Sequence, residues 1–579
     1  MGFSKLIEVI RSSVDLQESA KKFPRGKSLI LPPGAVSSVV SLLATGAFEQ
    51  RPILLICSTG RESDHLRDEL RSSLPQEIPV LDFPSWETLP HELLSPHPAT
   101  VARRRSTLQH LKQNSGSSVV VAPIRALLQP VNPEFDRFQP RVAQVGQSTM
   151  SMDSWINYLS EGGYSRVDLV SRRGEYAVRG GILDVFPPLA EHPVRLDFFG
   201  EELEEITFFG IADQRSLKEK ITSVKIDAVR EIFLTDELRS RASQLAAEFP
   251  GLENLLTKLS AGIFSEGMES LQPIFFPTLV SSLSLFPENA VLIEVSSQKI
   301  RARSRLLHET NREFLQAAWE AAALDGSKKP IELEHGQFYT YEDLREAAGS
   351  RIWFSLDHLD TGADDNIRLP LGTLPVAGAV GENVWSFIAK SVRAGEIVVV
   401  LAAGPGLVER IADLLGERDI PHRIDLDLDQ ALGPGVVSIA QGVLREGFID
   451  SESKLVVVTE RELFGKPPSS SHRSGRGLAP KRARVVDPLQ LSDGDYVVHE
   501  THGIGRFVEL VLRQISTGGR YPRKSEREFV VLEYAPTKRG RPSDRLYVPT
   551  DQLNQLSHYV GSDTPKLSKM GGSDWAASK

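Results

Sequence analysis

A Gly-Lys-Ser triplet at 26–28, in "RGKSLILPPGAVSSVVSLL", has the residue types of a phosphate-binding loop. In such a loop glycines let backbone N–H groups close around phosphates, lysine neutralises charge and the hydroxyl holds magnesium. The spacing fails twice. The position five before Gly26 is Lys21, where the motif needs glycine, and the triplet precedes its apolar strand instead of following it. The segment after the strand, "PPGAVSSVV", has the turn and the helix start but no lysine. Pro32 and Pro33 also remove N–H groups where a phosphate needs them. The nearest acidic partner motif is "LVVVTERE", with Thr459 in the Asp position. The arrangement is the shape of a nucleotide-binding fold without its chemistry.

Other reactive residue types give no catalytic set. In "HETH" the histidines His499 and His502 stand at i and i+3, whereas a zincin needs i and i+4 on a helix. The lone Cys57, in the apolar run "PILLICST", excludes an internal disulfide and a cysteine-based zinc site, and reads as a buried strand residue. The carboxylates of "GEELEEI" read as a solvated acidic turn. No Ser/His/Asp or Cys/His constellation is recognisable, so the expectation is no catalytic and no metal-binding residue.

The elements around these residues imply several domains, as 579 residues require. Up to about residue 135, short apolar strands ("SLILP", "PILLICS", "SSVVVAP") alternate with helical stretches, which implies a parallel sheet. Residues 136–216 read as an inserted α+β domain: "EYAVRGGILDVFPP" and "HPVRLDFFGEELEEITFF" alternate with Gly- and Pro-containing turns. Period-2 alternation in "RLDFFG" sends Leu196 and Phe198 one way and Arg195, Asp197 and Phe199 the other. Residues 217–335 resume the first domain and 336–465 read as a second small α/β domain containing "RIWFSL". A basic Pro/Ser/Gly-rich linker, 466–488, precedes an all-β module at 489–562 in which Gly503 and Gly505 permit a turn. The net charge of −9 argues against global nucleic-acid binding, so any such contact should be local. No apolar run approaches the roughly 18 residues that span a bilayer, and the N-terminus lacks a signal-peptide core. A reducing cytoplasm and no membrane association are expected.

Six stretches, "FPSWETLPHELLSPHPATVARRRSTLQ", "RRGEYAVRGGILDVFPP", "RLDFFGEELEEI", "HGIGRF", "RLYVPTDQL" and "LSKMGGSDW", resemble in this order the bacterial transcription-repair coupling factor family. The resemblance covers that family's N-terminal half. It implies a multidomain α/β chain: a degenerate P-loop-type sheet like that of the repair protein UvrB, the inserted domain as a UvrA-binding surface, and a C-terminal Tudor/SH3-like, CarD-like barrel that holds the RNA polymerase β subunit. The second small α/β domain is read, apart from the resemblance, as a structural spacer. By motif position, UvrA contacts fall on Arg179, Arg195 and Phe199, and polymerase contacts on Val498, Glu500 and Ile504. Basic residues Arg520, Arg523, Lys524, Lys538 and Arg539 could meet upstream double-stranded DNA, without sequence preference, or an acidic polymerase surface. Residues 563–579 correspond to the start of a linker toward a translocase motor, and ATP and magnesium are expected only for that motor. The implied function is transcription-coupled nucleotide excision repair, with the chain recruiting UvrA to stalled polymerase. The alternatives are an ATP-dependent nucleic-acid motor in its own right and a CarD-like transcription regulator.

Overall fold

A computed structural model describes residues 3–13, 27–88, 94–114, 116–135, 137–146, 150–211, 214–276, 278–325, 338–360, 366–375, 382–465, 496–499, 503–516, 524–535, 543–549, 556–558 and 567. The chain divides into two compact units, Met1–His472 and Arg473–Lys579.

The first unit is built on a seven-stranded parallel sheet, in the order Asn366–Arg368, Ser28–Ile30, Trp353–Asp357, Val291–Val295, Pro52–Cys57, Ser118–Pro123, Val80–Asp82. "PILLIC" and "SVVVAP" are buried at every residue, as strands covered on both faces must be. Cys57 lies fully buried on the first of these, and burial pushes its thiol well above the ordinary range. The strand "WFSLD" does not belong to the second α/β domain, where the sequence places it. It lies in the core sheet, in register with Leu292 (opposite Trp353) on one side and Ser28 (opposite Ser355) on the other. Strand pairing across more than three hundred residues leaves no local mark, since each strand's own pattern is the same in either sheet.

A second sheet runs Leu371–Thr373, Phe448–Asp450, Leu455–Thr459, Ile397–Ala402, Val437–Gln441, His422–Ile424. This domain, read from sequence as a structural spacer, shares its core with the first sheet. The helices Ser4–Ser13, Val36–Ala44 and Gly60–Ser73 share one apolar cluster with both sheets: Ile10, Val40 and Leu70 pack in the same core as Ile53 and Ile293 of the first sheet and Val399 and Val457 of the second.

The insertion forms a six-stranded sheet, in the order Ser216–Ile221, Glu202–Phe209, Val194–Phe199, Ile182–Val185, Glu175–Arg179, Ser165–Arg166. The pairing of Ile206 with Ile221 carries this sheet past residue 216. One face packs on the helix Met152–Glu161, with Leu183, Leu196 and Phe198 against Trp155 and Leu159.

What fastens the insertion to the core is a pair of adjacent arginines on the helix Pro98–Gln113. Arg104 and Arg105 are each only 1% exposed. Arg105 donates to the carbonyls of Phe135 and Phe138 (2.6 Å), where the chain leaves the core, and to Asp227 (3.1 and 3.2 Å), where it returns. Arg104 donates to Glu231 (2.8 Å) and to the carbonyl of Pro84 (3.0 Å), with its guanidinium 4.4 Å from the Phe83 ring. Trp86 adds an indole N–H to Glu231 at 3.0 Å. The motif "FPSW…ARRR" is therefore a fastener.

The C-terminal unit is an antiparallel sheet, in the order Asp544–Pro549, Lys524–Tyr534, Gly503–Ser516, Tyr496–His499, Leu556–His558. Among the described residues no pairing joins its two edges, so a closed barrel is not seen. Gly503 and Gly505 start a strand and do not form a turn; a Cβ on Gly505 would lie 2.9 Å from the Tyr534 ring.

Removing one partner of a buried ion pair strands the other, at a cost of about 3–5 kcal/mol. Asp227→Ala is expected to cost that much in urea unfolding followed by circular dichroism. A loss under about 1 kcal/mol would show that the arginine does not fasten the insertion.

Candidate functional site

The outer face of the inserted sheet carries the sequence-derived UvrA residues. Along Val194–Phe199 burial alternates as the sequence predicts: Leu196 and Phe198 are buried, whereas Asp197 and Phe199 are exposed. Phe199 is 76% exposed, the most of any large apolar side chain among the described residues. Arg179 pairs across the hairpin with Ile182, which in turn faces Asp197, so Arg179 and Phe199 share this face. The hairpin is tight: a Cβ on Gly181 would sit 2.7 Å from the Phe198 carbonyl, and the Phe198 N–H donates to Gly181 at 2.9 Å. Arg179 is exposed and donates to the Asp168 carbonyl at 2.8 Å.

Arg195 sits differently. It grips buried Asp184 through two parallel bonds of 2.7 and 2.9 Å, donates to Ser216 (3.2 Å) and the Gln214 carbonyl (3.3 Å), and lies 4.9 Å from the Phe209 ring. The Asp184 hydrogen bond holds its guanidinium charged more firmly than usual. Its donors are committed inside the sheet, so Arg195 braces the face that presents Phe199. Sequence inspection missed Asp184, whose one signal is an acidic residue in the otherwise apolar strand "ILDV". Around Phe199 the exposed carboxylates Asp197, Glu201 and Glu202 form an acidic rim.

The turn after Ser28–Ile30 is filled by protein. A Cβ on Gly34 would fall 2.1 Å from the Glu446 carbonyl oxygen and 2.9 Å from that of Gly447. The segment supplying these groups is held at three points: Val443 N–H on Ser72 (3.2 Å), Arg445 N–H on Glu69 (3.0 Å) and Gly447 N–H on Glu462 (3.1 Å). Glu462 belongs to "LVVVTERE", the stretch compared above with an acidic motif. There it closes a capping box on Thr459. Lys27 is half-buried before the strand, and Gly26 lies outside the described residues. Burial pushes the Glu69 carboxyl up to about 7, against the opposing pull of the Arg445 N–H.

In the C-terminal sheet, Val497 enters the core with Phe507, Leu532 and Tyr534. Val498 and Ile504 are half-buried and directly opposite each other. Glu500, Arg520, Arg523, Lys538 and Arg539 lie outside the described residues. Lys524 begins the strand Lys524–Tyr534. Among the described residues no group of His, Cys, Asp and Glu could hold a metal, and no helix is long and apolar enough to cross a membrane.

Residues 143–231 match the UvrB interaction domain, and 491–560 match the CarD-like/TRCF RID domain. One chain thus joins a domain of excision-repair type to one of transcription type. It is similar along nearly its whole length to proteins named transcription-repair-coupling factor: 39% identical to that of Mycobacterium bovis (99% of this chain, 48% of that protein), 30% to that of Bacillus subtilis (91% and 44%) and 25% to that of Staphylococcus aureus (99% and 49%). The chain is a homologue of the transcription-repair-coupling factors, and it spans about half the length of the curated relatives it matches.

Two stability measurements check this geometry. Gly34→Ala forces a methyl against backbone and is expected to cost about 1–3 kcal/mol; a neutral result would mean the contact is loose. Glu69 has its folded value raised to about 7 from 4.5, so its protonated form favours folding. The benefit is full below pH 4.5 and fades as pH rises toward 7, by about 3 kcal/mol at 1.36 kcal/mol per unit. Glu69→Gln should flatten the stability profile over that window relative to wild type. Parallel profiles would remove Glu69 from the account.

Proposed function

We propose that this chain is the adaptor part of a transcription-coupled excision-repair factor, recruiting UvrA through the outer face of the inserted sheet and holding RNA polymerase, at its β subunit, through the C-terminal sheet. The observation that carries the reading is Phe199: a large aromatic left exposed on a sheet whose neighbouring arginine is spent on bracing, inside a segment that matches the UvrB interaction domain. Exposed aromatics on rigid supports are the usual anchors of protein interfaces. The acidic rim of Asp197, Glu201 and Glu202 calls for a partner surface with an apolar socket and basic surroundings. Arg179 supplies an exposed cation on this face whose bond within the protein is to a carbonyl and not to a carboxylate. On the C-terminal sheet, Val498 and Ile504 form the half-buried pair proposed for polymerase contact, with Glu500 beside them in sequence. Non-specific contact with upstream double-stranded DNA is assigned to the basic residues from Arg520 to Arg539. No ATP- or magnesium-dependent step is assigned to this chain, and its place of action is proposed as the cytoplasm.

Titration of the chain with purified UvrA tests the reading. The pair R179A/F199A should weaken binding on the order of a hundredfold, the effect of removing two anchors, with the unfolding midpoint unchanged. Arg195→Ala should weaken binding and lower the midpoint together, since it removes the brace. Unaltered binding by R179A/F199A would move the UvrA surface elsewhere.

A further inference from the structure

The chain carries a net charge of −9, yet "SQKIRARSRLLH", the start of the helix Ser297–Asp325, has four cations and no acid. Lys299 stands in the first turn of this helix, where the macrodipole disfavours positive charge. None of Lys299, Arg301, Arg303 or Arg305 forms an ion pair with a described residue. Helix stability therefore does not explain them.

Their placement is directional. Ile300, Ser304 and Leu307 are buried, and Arg301, Arg305 and His308 follow at i, i+4 and i+7 along one flank. Such residues are separated by about 5–6 Å between Cβ atoms, which makes a linear track. The track lines a cleft of about 280 Å³. Thr340 and Tyr341 close the other side, and both hydroxyl protons are committed within the protein, that of Thr340 to the Asp343 carboxylate at 2.7 Å. The Tyr341 ring lies 5.6 Å from the Arg301 guanidinium, and its hydroxyl donates to buried Glu294 at 2.5 Å. Burial raises the Glu294 carboxyl, while the Tyr341 hydrogen bond and the Arg301 guanidinium pull it the other way. The two acids that line the cleft, Glu309 and Glu342, are exposed.

We propose that Arg301, Arg305 and His308 form a track for the phosphate backbone of double-stranded DNA. Regularly spaced basic side chains along one helix flank suit a ladder of phosphates, which duplex DNA presents at one charge per about 1.7 Å of axis. No base edge can be read from this shallow flank, so the contact is independent of sequence. The proposal goes beyond the UvrA reading and uses a different element from the Arg179–Phe199 face.

Fluorescence anisotropy of the whole chain with a labelled random-sequence duplex, repeated over a range of salt, tests it. R301Q/R305Q should weaken binding about tenfold or more and lower the slope of log affinity against log salt by about 2, since each lost phosphate contact removes about 0.9. R301K/R305K keeps the charges and should keep the slope. Should R301Q/R305Q not fold, Arg305→Gln alone should lower the slope by about 1. An unchanged slope in the folded Gln variants would overturn the proposal. So would competition by poly-glutamate as effective as by unlabelled duplex, which would mark a docking surface for acidic protein.

Discussion

The architecture of the first unit depends on one desolvated contact, the grip of Arg105 on both ends of the insertion. A six-stranded sheet joined to the core by two chain crossings can swing about them unless something fixes both at once. Apolar packing resists separation but is weakly directional. A guanidinium is planar and presents its donors in a fixed fork, so bonding two carbonyls on the outgoing chain and a carboxylate on the returning chain sets position and angle together. Taking these charges out of water is costly, and such pairs rarely beat an apolar replacement on stability alone. What the arrangement supplies is orientation: Arg104 repeats it one residue earlier on Glu231, and Trp86 closes the set.

The same economy appears at the carboxyl ends of the core strands. In open α/β sheets that edge is where ligands bind. Here the turn after the first strand is packed against Glu446 and Gly447, and the Gly34 position is tight because a backbone stands where a ligand otherwise could. The second sheet thereby joins the first through polar anchors as well as the shared apolar core. Glu69, Ser72 and Glu462 each satisfy an N–H of the covering segment, those of Arg445, Val443 and Gly447. A module read from sequence as a spacer instead completes the core domain at its usual binding edge.

What could be read from the sequence was local. The alternation in "RLDFFG" placed Phe198 inside and Phe199 outside, because strand periodicity is carried by adjacent residues. The buried strands and the buried Cys57 were legible for the same reason. Partnerships were not. Arg195 stood with Arg179 as a contact residue until the register brought Asp184 beneath it. Arg104 and Arg105 looked like ordinary charges on a helix whose polar and apolar residues are poorly segregated, and only Asp227 and Glu231, more than a hundred residues on, give them a role. The strand Trp353–Asp357 went to the wrong sheet because nothing in its four buried residues says which parallel neighbour they pair with.

These observations give the exposed aromatic its meaning. A phenylalanine on a mobile loop loses much of its binding energy to ordering, whereas one on a braced strand has already lost that freedom on folding. Phe199 ends a strand whose buried alternates pack on the helix Met152–Glu161, and Arg195 of the same strand is locked onto Asp184. The sheet itself is oriented by Arg104 and Arg105. Each layer of polar contacts removes a different motion: the strand within the sheet, then the sheet against the core. In the proposed adaptor role the chain would present a docking surface to a partner, and rigidity of this kind would then be functional even where it adds little to stability. On that proposal, the ion pairs that look redundant for folding are what would make a single exposed ring an address.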